Sequence, residues 1–150
     1  MPSPFRPATA LLLQYAEYHR DRRNIATHLV GIPLIVFGLG VLLARPAVAV
    51  GGAALTPAWL LFLPVALWYL TRGQFALGAA VSAALALLLA LAQPLAEGST
   101  AAWLAWGIGC FAAGWAVQLL GHYYEGRRPA FADDLVGLLV GPMFVVLELL

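Results

Sequence analysis

Residues 25–44 read IATHLVGIPLIVFGLGVLLA, and His28 is the one ionisable side chain among these twenty residues. A helix needs about 20 apolar residues to cross a hydrocarbon core that is roughly 30 Å thick. Asn24 is a favourable N-cap immediately before the run, and Arg45-Pro46 ends it. We therefore predict a first membrane span over residues 25–44.

Apolar runs also follow this span, and a mixed polar and apolar run precedes it. The sequence thus predicts a single all-α domain, residues 1–150, that is a multi-pass transmembrane helical bundle of four to five membrane helices plus an N-terminal interfacial helix. Before the first span we expect an interfacial helix over 8–20, and after it a short turn or irregular segment over 47–56. Three further helices are expected over 57–70, with a kink at Pro64, over 75–92, which Gln93-Pro94 ends, and over 101–121. The final run over 134–150 spans the membrane, re-enters it or lies against the bundle.

Small residues recur within these runs and would let helix backbones approach each other closely. We expect such close packing at Gly38, Gly40, Gly78, Ala79, Ala83, Gly107, Gly109 and Gly114.

The composition supports a membrane protein. Hydrophobic residues make up 63% of the chain and charged residues only 10%, whereas a soluble domain carries about 25% charged residues. We therefore expect the lipid bilayer as a partner, and the net charge of +1 excludes nucleic-acid binding driven by overall charge.

Cys110 is the only cysteine, which excludes an intrachain disulfide and a cysteine-based metal site. The N-terminal residues do not have the pattern of a cleavable signal peptide.

The arginines predict the orientation of the bundle. With four crossings and a cytoplasmic N-terminus, seven of the eight basic residues lie on the cytoplasmic side and only Arg45 on the other, in agreement with the positive-inside rule. We expect an integral protein of a bacterial inner membrane, or of the endoplasmic reticulum in a eukaryote. The same topology brings residues 19–28 and residues 122–125 to one membrane face.

All three histidines of the chain, His19, His28 and His122, belong to that face. On one continuous helix His19 and His28 would point to opposite sides, so they converge only if the chain bends at residues 20–24. An ionisable side chain in an apolar span is costly and indicates function. The alternative for His28 is a neutral ring bonded to a carbonyl group.

A polar stripe lies at the end of the span over 101–121. Gln118, His122 and Glu125 follow one another at i, i+4 and i+7, on one side of an otherwise apolar helix. A glutamine in a membrane helix often only joins neighbouring helices, but the aligned histidine and carboxylate favour a site. Tyr15 precedes His19 by four residues and is placed to orient or shield the same pocket.

Three imidazoles and a carboxylate, without a thiolate, suit iron, zinc, manganese or copper. Open positions on such a site are typical of non-haem Fe(II) oxygenases, whereas zinc with three ligands and a water would give a lipid hydrolase with Glu125 as general base. A non-catalytic membrane scaffold, whose polar stripe only holds helices together, is a further alternative, and bis-histidine haem is another. The spacing does not choose among them.

Two segments resemble signatures of the Mpo1-like family. They are YAEYHRDRRNIATHLVGIPL at 15–34 and QLLGHYYEGRRPAFADDLVGLLVGP at 118–142. Because one lies near each end of the chain, the resemblance covers essentially the whole chain. One departure is that Asp134 is followed directly by Leu135, where the family pattern has Asp-Asn-Leu.

The resemblance implies an Fe(II)-dependent dioxygenase of lipid metabolism that uses O₂ to shorten 2-hydroxy fatty acids by one carbon and release CO₂. The family histidines that hold iron carry over to His19, His28 and His122, with Glu125 as a further ligand or a proton acceptor and Tyr15 beside them. Arg23 or Arg127 would offset the substrate carboxylate, although anchoring at the membrane face is the alternative for Arg127. Three more motif positions are expected to support the ligands without contacting metal, namely Asn24, Gln118 and Asp134.

Overall fold

The computed structural model describes residues 3–129 and 135–150. Within these ranges lie α1 (Ala8–Ala16), α2 (Arg22–Leu43), β1 (Val48–Val50), β2 (Ala53–Leu55), α3 (Pro57–Leu70), α4 (Phe75–Ala96), α5 (Thr100–Glu125) and α6 (Gly137–Leu149). The predicted helical architecture is confirmed. Three of the described helices, α2, α4 and α5, are long and apolar enough to cross a membrane, whereas α3 and α6 have 14 and 13 residues.

A β-hairpin replaces the irregular turn expected over residues 47–56. β1 and β2 pair antiparallel, and Val48 lies opposite Leu55. Gly51 and Gly52 connect them with φ of 56° and 83°, the backbone that a two-residue hairpin turn requires and that glycine adopts most easily. The prediction was wrong because the small apolar residues around the two glycines gave no alternating pattern.

The helix boundaries also differ from the expected ones. Asp21, not Asn24, caps α2, because its side chain accepts a hydrogen bond from the Arg23 N–H while the Asn24 side chain is buried and bonded elsewhere. α4 continues through Gln93-Pro94 to Ala96, since a proline in the last turn removes only one helical hydrogen bond. α5 extends four residues beyond the predicted end, to Glu125, and stops where Gly126 takes φ of 67°.

α2 and α5 pack antiparallel along a seam of glycines. Two lie on α2 and three on α5, each spaced seven residues from the next, so that they share one face of each helix: Gly31, Gly38, Gly107, Gly114 and Gly121. A Cβ atom at Gly38 would lie 2.5 Å from the Phe111 nitrogen, and one at Gly114 would lie 2.8 Å from the Gly31 oxygen. The two backbones therefore touch, which small residues alone allow. Gly109, which we expected in such a contact, instead faces open space.

Hydrogen bonds link neighbouring elements at both ends of the bundle. At one end Arg45 donates to the Ala96 and Gly98 carbonyls at 2.6 Å each, which ties α2 to the loop between α4 and α5. At the other end α1 packs on α6, and the Ala8 N–H donates to the Arg72 carbonyl at 2.8 Å. α6 lies against α1, α2 and α4, so the final run forms a helix that is part of the bundle.

Gly114→Val is expected to destabilise the bundle by about 1–3 kcal/mol, because the new side chain must displace backbone atoms of α2. Gly109→Val is the matched control on the same helix, since a Cβ there meets nothing within 4 Å. Thermal unfolding of the two purified variants in detergent measures the difference. Equal loss of stability in both would show that the seam is not a close contact.

Candidate metal centre

The three histidines come together at one end of the bundle. His19 lies in the linker between α1 and α2, His28 in the second turn of α2, and His122 in the last turn of α5. Their ring centroids are 4.3 Å (His19–His28), 4.9 Å (His28–His122) and 5.3 Å (His19–His122) apart. One nitrogen of each ring lies within 4.8 Å of the others, and all three residues are buried. The linker provides the bend between His19 and His28.

The protonation of two of these rings follows from their hydrogen bonds. His19 Nδ1 lies 2.8 Å from the Tyr15 carbonyl oxygen, and His28 Nδ1 lies 2.8 Å from the Asn24 carbonyl oxygen. A carbonyl can only accept, so each Nδ1 carries the proton and donates it. In the neutral rings both Nε2 atoms therefore hold a lone pair. Histidine ligands of metals commonly have this arrangement, because the carbonyl fixes the tautomer and the ring orientation.

Those two lone pairs face each other, since the Nε2 atoms of His19 and His28 are 2.9 Å apart. Two acceptors at that distance repel unless a cation lies between or beside them. Burial lowers the pKa of His19 below its usual value, more than its hydrogen bond to Tyr15 raises it, so a proton shared with this ring is disfavoured at neutral pH. A metal ion would satisfy both nitrogens.

His122 adds a third nitrogen to the group. Its Nδ1 is buried and has no hydrogen-bond partner among the described residues. Buried polar atoms in folded proteins are nearly always bonded, so an unpartnered imidazole nitrogen beside two others is itself a reason to expect a ligand. Three neutral imidazole nitrogens fit a first-row transition metal.

Aromatic rings hold His19 in place. Tyr15 stacks on His19 with ring centroids 4.1 Å apart and planes inclined by 12°. Phe144 of α6 packs against both, at 5.2 Å from Tyr15 and 5.3 Å from His19. Burial raises the pKa of the Tyr15 hydroxyl, which therefore stays protonated. Sequence reasoning missed Phe144, which belongs to an apolar run without any pattern that marks it.

Glu125 lies beside the histidines but not among the converging ligand atoms. Its carboxylate accepts hydrogen bonds from the backbone N–H of Arg20 at 3.0 Å and of Asp21 at 2.8 Å, and from Asn24 Nδ2 at 3.1 Å. Arg20 directly follows His19, and Glu125 lies one turn after His122. The carboxylate therefore fastens the linker that carries His19 to the helix that carries His122.

Asn24 of α2 bonds both to the linker and to Glu125 of α5. It is fully buried, and its side-chain nitrogen donates to the Glu125 carboxylate and to the Tyr18 carbonyl oxygen. Its backbone carbonyl oxygen accepts a hydrogen bond from His28. A Cβ at Gly121 would collide with the Asn24 side chain, so that glycine makes room for it. The remaining residue expected to support the ligands, Asp134, lies outside the described residues.

The two arginines expected to bind the substrate carboxylate point away from the histidines. Arg23 forms an ion pair with Asp21 at 2.8 Å, lies over the Tyr124 ring, and has a side chain that is 66% exposed. Arg127 donates to the Glu17 carbonyl oxygen at 2.9 Å. Neither lines the cavity described next.

A cavity of about 330 Å³ opens beside His28 and His122, between α2, α5 and α6. This volume is at the lower end of the range for small-molecule sites. The polar end carries Tyr15, Gln118 and the two histidines, and the apolar walls are formed by Ile32, Ile35, Val36, Leu39, Phe111, Trp115, Leu138 and Pro142. His28 and Leu39 are eleven residues apart on α2, so the cavity extends ~16 Å along that helix.

A second groove, of about 190 Å³, lies towards α3 and α4. It shares Val36, Leu39, Leu138 and Pro142 with the first cavity, so the two adjoin across these side chains. The sequence indicated the polar end of the first cavity through its motifs, but the apolar walls depend on how α6 packs, which hydropathy does not show.

Comparison with known proteins gives one family and one curated relative. The family described as 2-hydroxy-palmitic acid dioxygenase Mpo1-like matches residues 5–150. The 2-hydroxy-palmitic acid dioxygenase MPO1 of Saccharomyces cerevisiae is 32% identical over 139 residues, which cover 91% of this chain and 75% of the yeast protein. No solved structure matches the chain significantly.

Alanine substitution of His19, His28 or His122 is expected to abolish stoichiometric metal binding, because each removes one of three converging nitrogens. Metal analysis after Fe(II) loading and desalting measures it. Tyr123→Phe is the control, since this 79% exposed residue neighbours His122 but points outward. Full metal content in all three alanine variants would show that the cluster is not a metal site.

Glu125→Ala is expected to accelerate amide hydrogen exchange at Arg20 and Asp21 in the metal-free protein, because both N–H groups lose their acceptor. It should also weaken metal binding about 10- to 100-fold, as loss of a supporting residue does. Glu17→Ala removes an equal charge from an exposed position near the linker and serves as the control. If exchange is unchanged while metal binding is lost, Glu125 is a ligand rather than a residue that holds the linker.

Proposed function

The chain belongs to the Mpo1-like family, and from this membership we propose that it is a membrane-embedded, Fe(II)-dependent dioxygenase that shortens 2-hydroxy fatty acids by one carbon. The observation that carries the proposal is the pair of facing Nε2 atoms of His19 and His28, 2.9 Å apart, with the unpartnered nitrogen of His122 beside them. Such a nitrogen set is suited to a cation, and the adjoining cavity is suited to an apolar ligand.

His19, His28 and His122 would hold the iron through three neutral nitrogens. Iron with open positions supplies a centre at which O₂ and a chelating substrate react, as in other non-haem oxygenases. The carbonyls of Tyr15 and Asn24 keep the two Nδ1 protons in place, so that the Nε2 lone pairs always face the metal position.

Glu125 is inferred to position the ligands. Its bonds to the backbone of Arg20 and Asp21 fix the linker, and the linker fixes His19. With its oxygens engaged by N–H groups, the carboxylate has little capacity left to accept a proton from substrate. Tyr15 is inferred to hold the His19 ring by stacking and to close the polar end of the cavity.

The cavity suits the proposed substrate. The carboxylate and 2-hydroxyl would lie at the polar end, near His28, His122 and Gln118, and the alkyl chain would follow the apolar walls between α2, α5 and α6. Each buried CH₂ stabilises the bound chain by about 0.8 kcal/mol relative to water. The second groove, which adjoins the first cavity, would offer room for a longer chain.

One-carbon shortening balances with O₂ alone if the product is an acid. The carbon between the alkyl chain and the carboxyl group becomes the new carboxyl group, the old one leaves as CO₂, and one water forms. The substrate loses four electrons, and one O₂ accepts four. No further reductant is needed, so the described residues need not include a site for one.

The three long apolar helices and the arginines support a membrane location. Arg45 bonds at the end of the bundle opposite the histidines, and Arg20, Arg23 and Arg127 lie at the histidine end. We propose that this arginine-rich end faces the cytoplasm, in a bacterial inner membrane or in the endoplasmic reticulum. Arg23 and Arg127 would there anchor the protein and attract the free acid to the surface.

The proposal is tested by loading the purified protein with Fe(II) without oxygen, adding 2-hydroxypalmitate, and then admitting O₂. We expect equal amounts of CO₂ and of an acid with fifteen carbons, with one O₂ consumed for each. His28→Ala should reduce all three signals to the level of a reaction without protein. Cleavage of lipid esters or amides by zinc-loaded protein, without O₂ uptake, would establish the hydrolase instead.

A further inference from the structure

Gln118 is a buried polar side chain in the wall of the cavity. It lies one turn before His122 on α5, is 7% exposed, and lines the polar end of the cavity. Its stem fits against Gly31 of α2, where a Cβ would lie 2.9 Å from the Gln118 Cγ. Because Gly31 has no side chain, the Gln118 side chain can pack directly against the backbone of α2.

The Gln118 side-chain oxygen has no hydrogen-bond partner within the described part of the chain. A glutamine that only joins membrane helices would direct this oxygen to a donor on the neighbouring helix. Gly31, which faces it, offers no side chain. An unbonded buried carbonyl costs roughly 1–3 kcal/mol, so the oxygen is expected to meet a donor on a ligand.

The two histidines in the cavity are already committed. His28 donates to the Asn24 carbonyl and turns its other nitrogen towards His19, and His122 belongs to the same nitrogen group. The walls beyond them are apolar. The polar end thus offers two groups to the head of a bound fatty acid, the Tyr15 hydroxyl as a donor and the unpaired Gln118 oxygen as an acceptor.

We propose that the Gln118 side-chain oxygen accepts a hydrogen bond from the substrate's 2-hydroxyl group and so selects 2-hydroxy acids over unsubstituted fatty acids. This inference rests on the proposed function. The hydroxyl is the matching partner because it donates, whereas an ionised carboxylate only accepts. An unsubstituted acid would leave the oxygen unpaired, and sites built around a substrate hydroxyl reject analogues that lack it.

The test compares ligand binding to wild type and to Gln118→Met, which keeps the length of the side chain and removes its hydrogen bonds. Iron-loaded full-length protein in lipid nanodiscs, kept free of oxygen, binds labelled 2-hydroxypalmitate, which is displaced by unlabelled 2-hydroxypalmitate or palmitate. We expect the preference for the hydroxylated acid to fall about tenfold in Gln118→Met, with unchanged iron content. Ile35→Val, another change in the cavity wall, should weaken both ligands alike and leave the preference intact.

The outcomes separate this inference from the function on which it rests. Wild-type protein that binds neither acid would overturn the proposed function and the role of Gln118 together. Wild-type protein that prefers the 2-hydroxy acid, with the same preference retained in Gln118→Met, would overturn only the role of Gln118. Loss of iron from Gln118→Met would also overturn the role of Gln118, because the residue would then support the metal centre rather than recognise the substrate.

Discussion

The close contact between α2 and α5 is the constraint on which the rest of the molecule depends. The glycine seam brings the two backbones together, and it runs from Gly38 and Gly107, nearer the Arg45 end of the bundle, to Gly121 beside Asn24. His28 and His122 lie at the same end of this seam, so their separation is set by the backbone and not by flexible side chains. A bulky residue in the seam would move His122 away from His28.

The third histidine is held in a different way. His19 belongs to a linker that is neither helix nor strand, and its position depends on groups from three elements. Tyr15 stacks on its ring, the Glu125 carboxylate binds the two N–H groups that follow it, and Phe144 packs from α6. Two of the histidines thus come from helices, and the third comes from a segment that the Glu125 carboxylate, Asn24 and Arg127 fasten to them.

Hydropathy and residue spacing were enough to predict the helical bundle and to bring three distant histidines to one end. They could not predict the role of Glu125, because its partners are backbone N–H groups in a linker whose path no periodicity records. The sequence also could not predict where the side chains of the two arginines point. Arg23 and Arg127 have long side chains, and the structure turns them to Asp21 and to the Glu17 carbonyl, away from the cavity. The hairpin over 48–55 was missed because its residues are small and apolar on both faces.

Leu39 and Leu138, in the wall of the cavity, are 40% and 49% exposed on the sides of α2 and α6. In the proposed bilayer setting these side chains would contact acyl tails, and a fatty acid that entered across them would not pass through water. The quantity that governs occupancy is then the mole fraction of the acid among the surrounding lipids. Under the proposed function, adding membrane at a fixed total amount of acid would dilute the substrate among the lipids and slow turnover, even though nothing in the aqueous phase had changed.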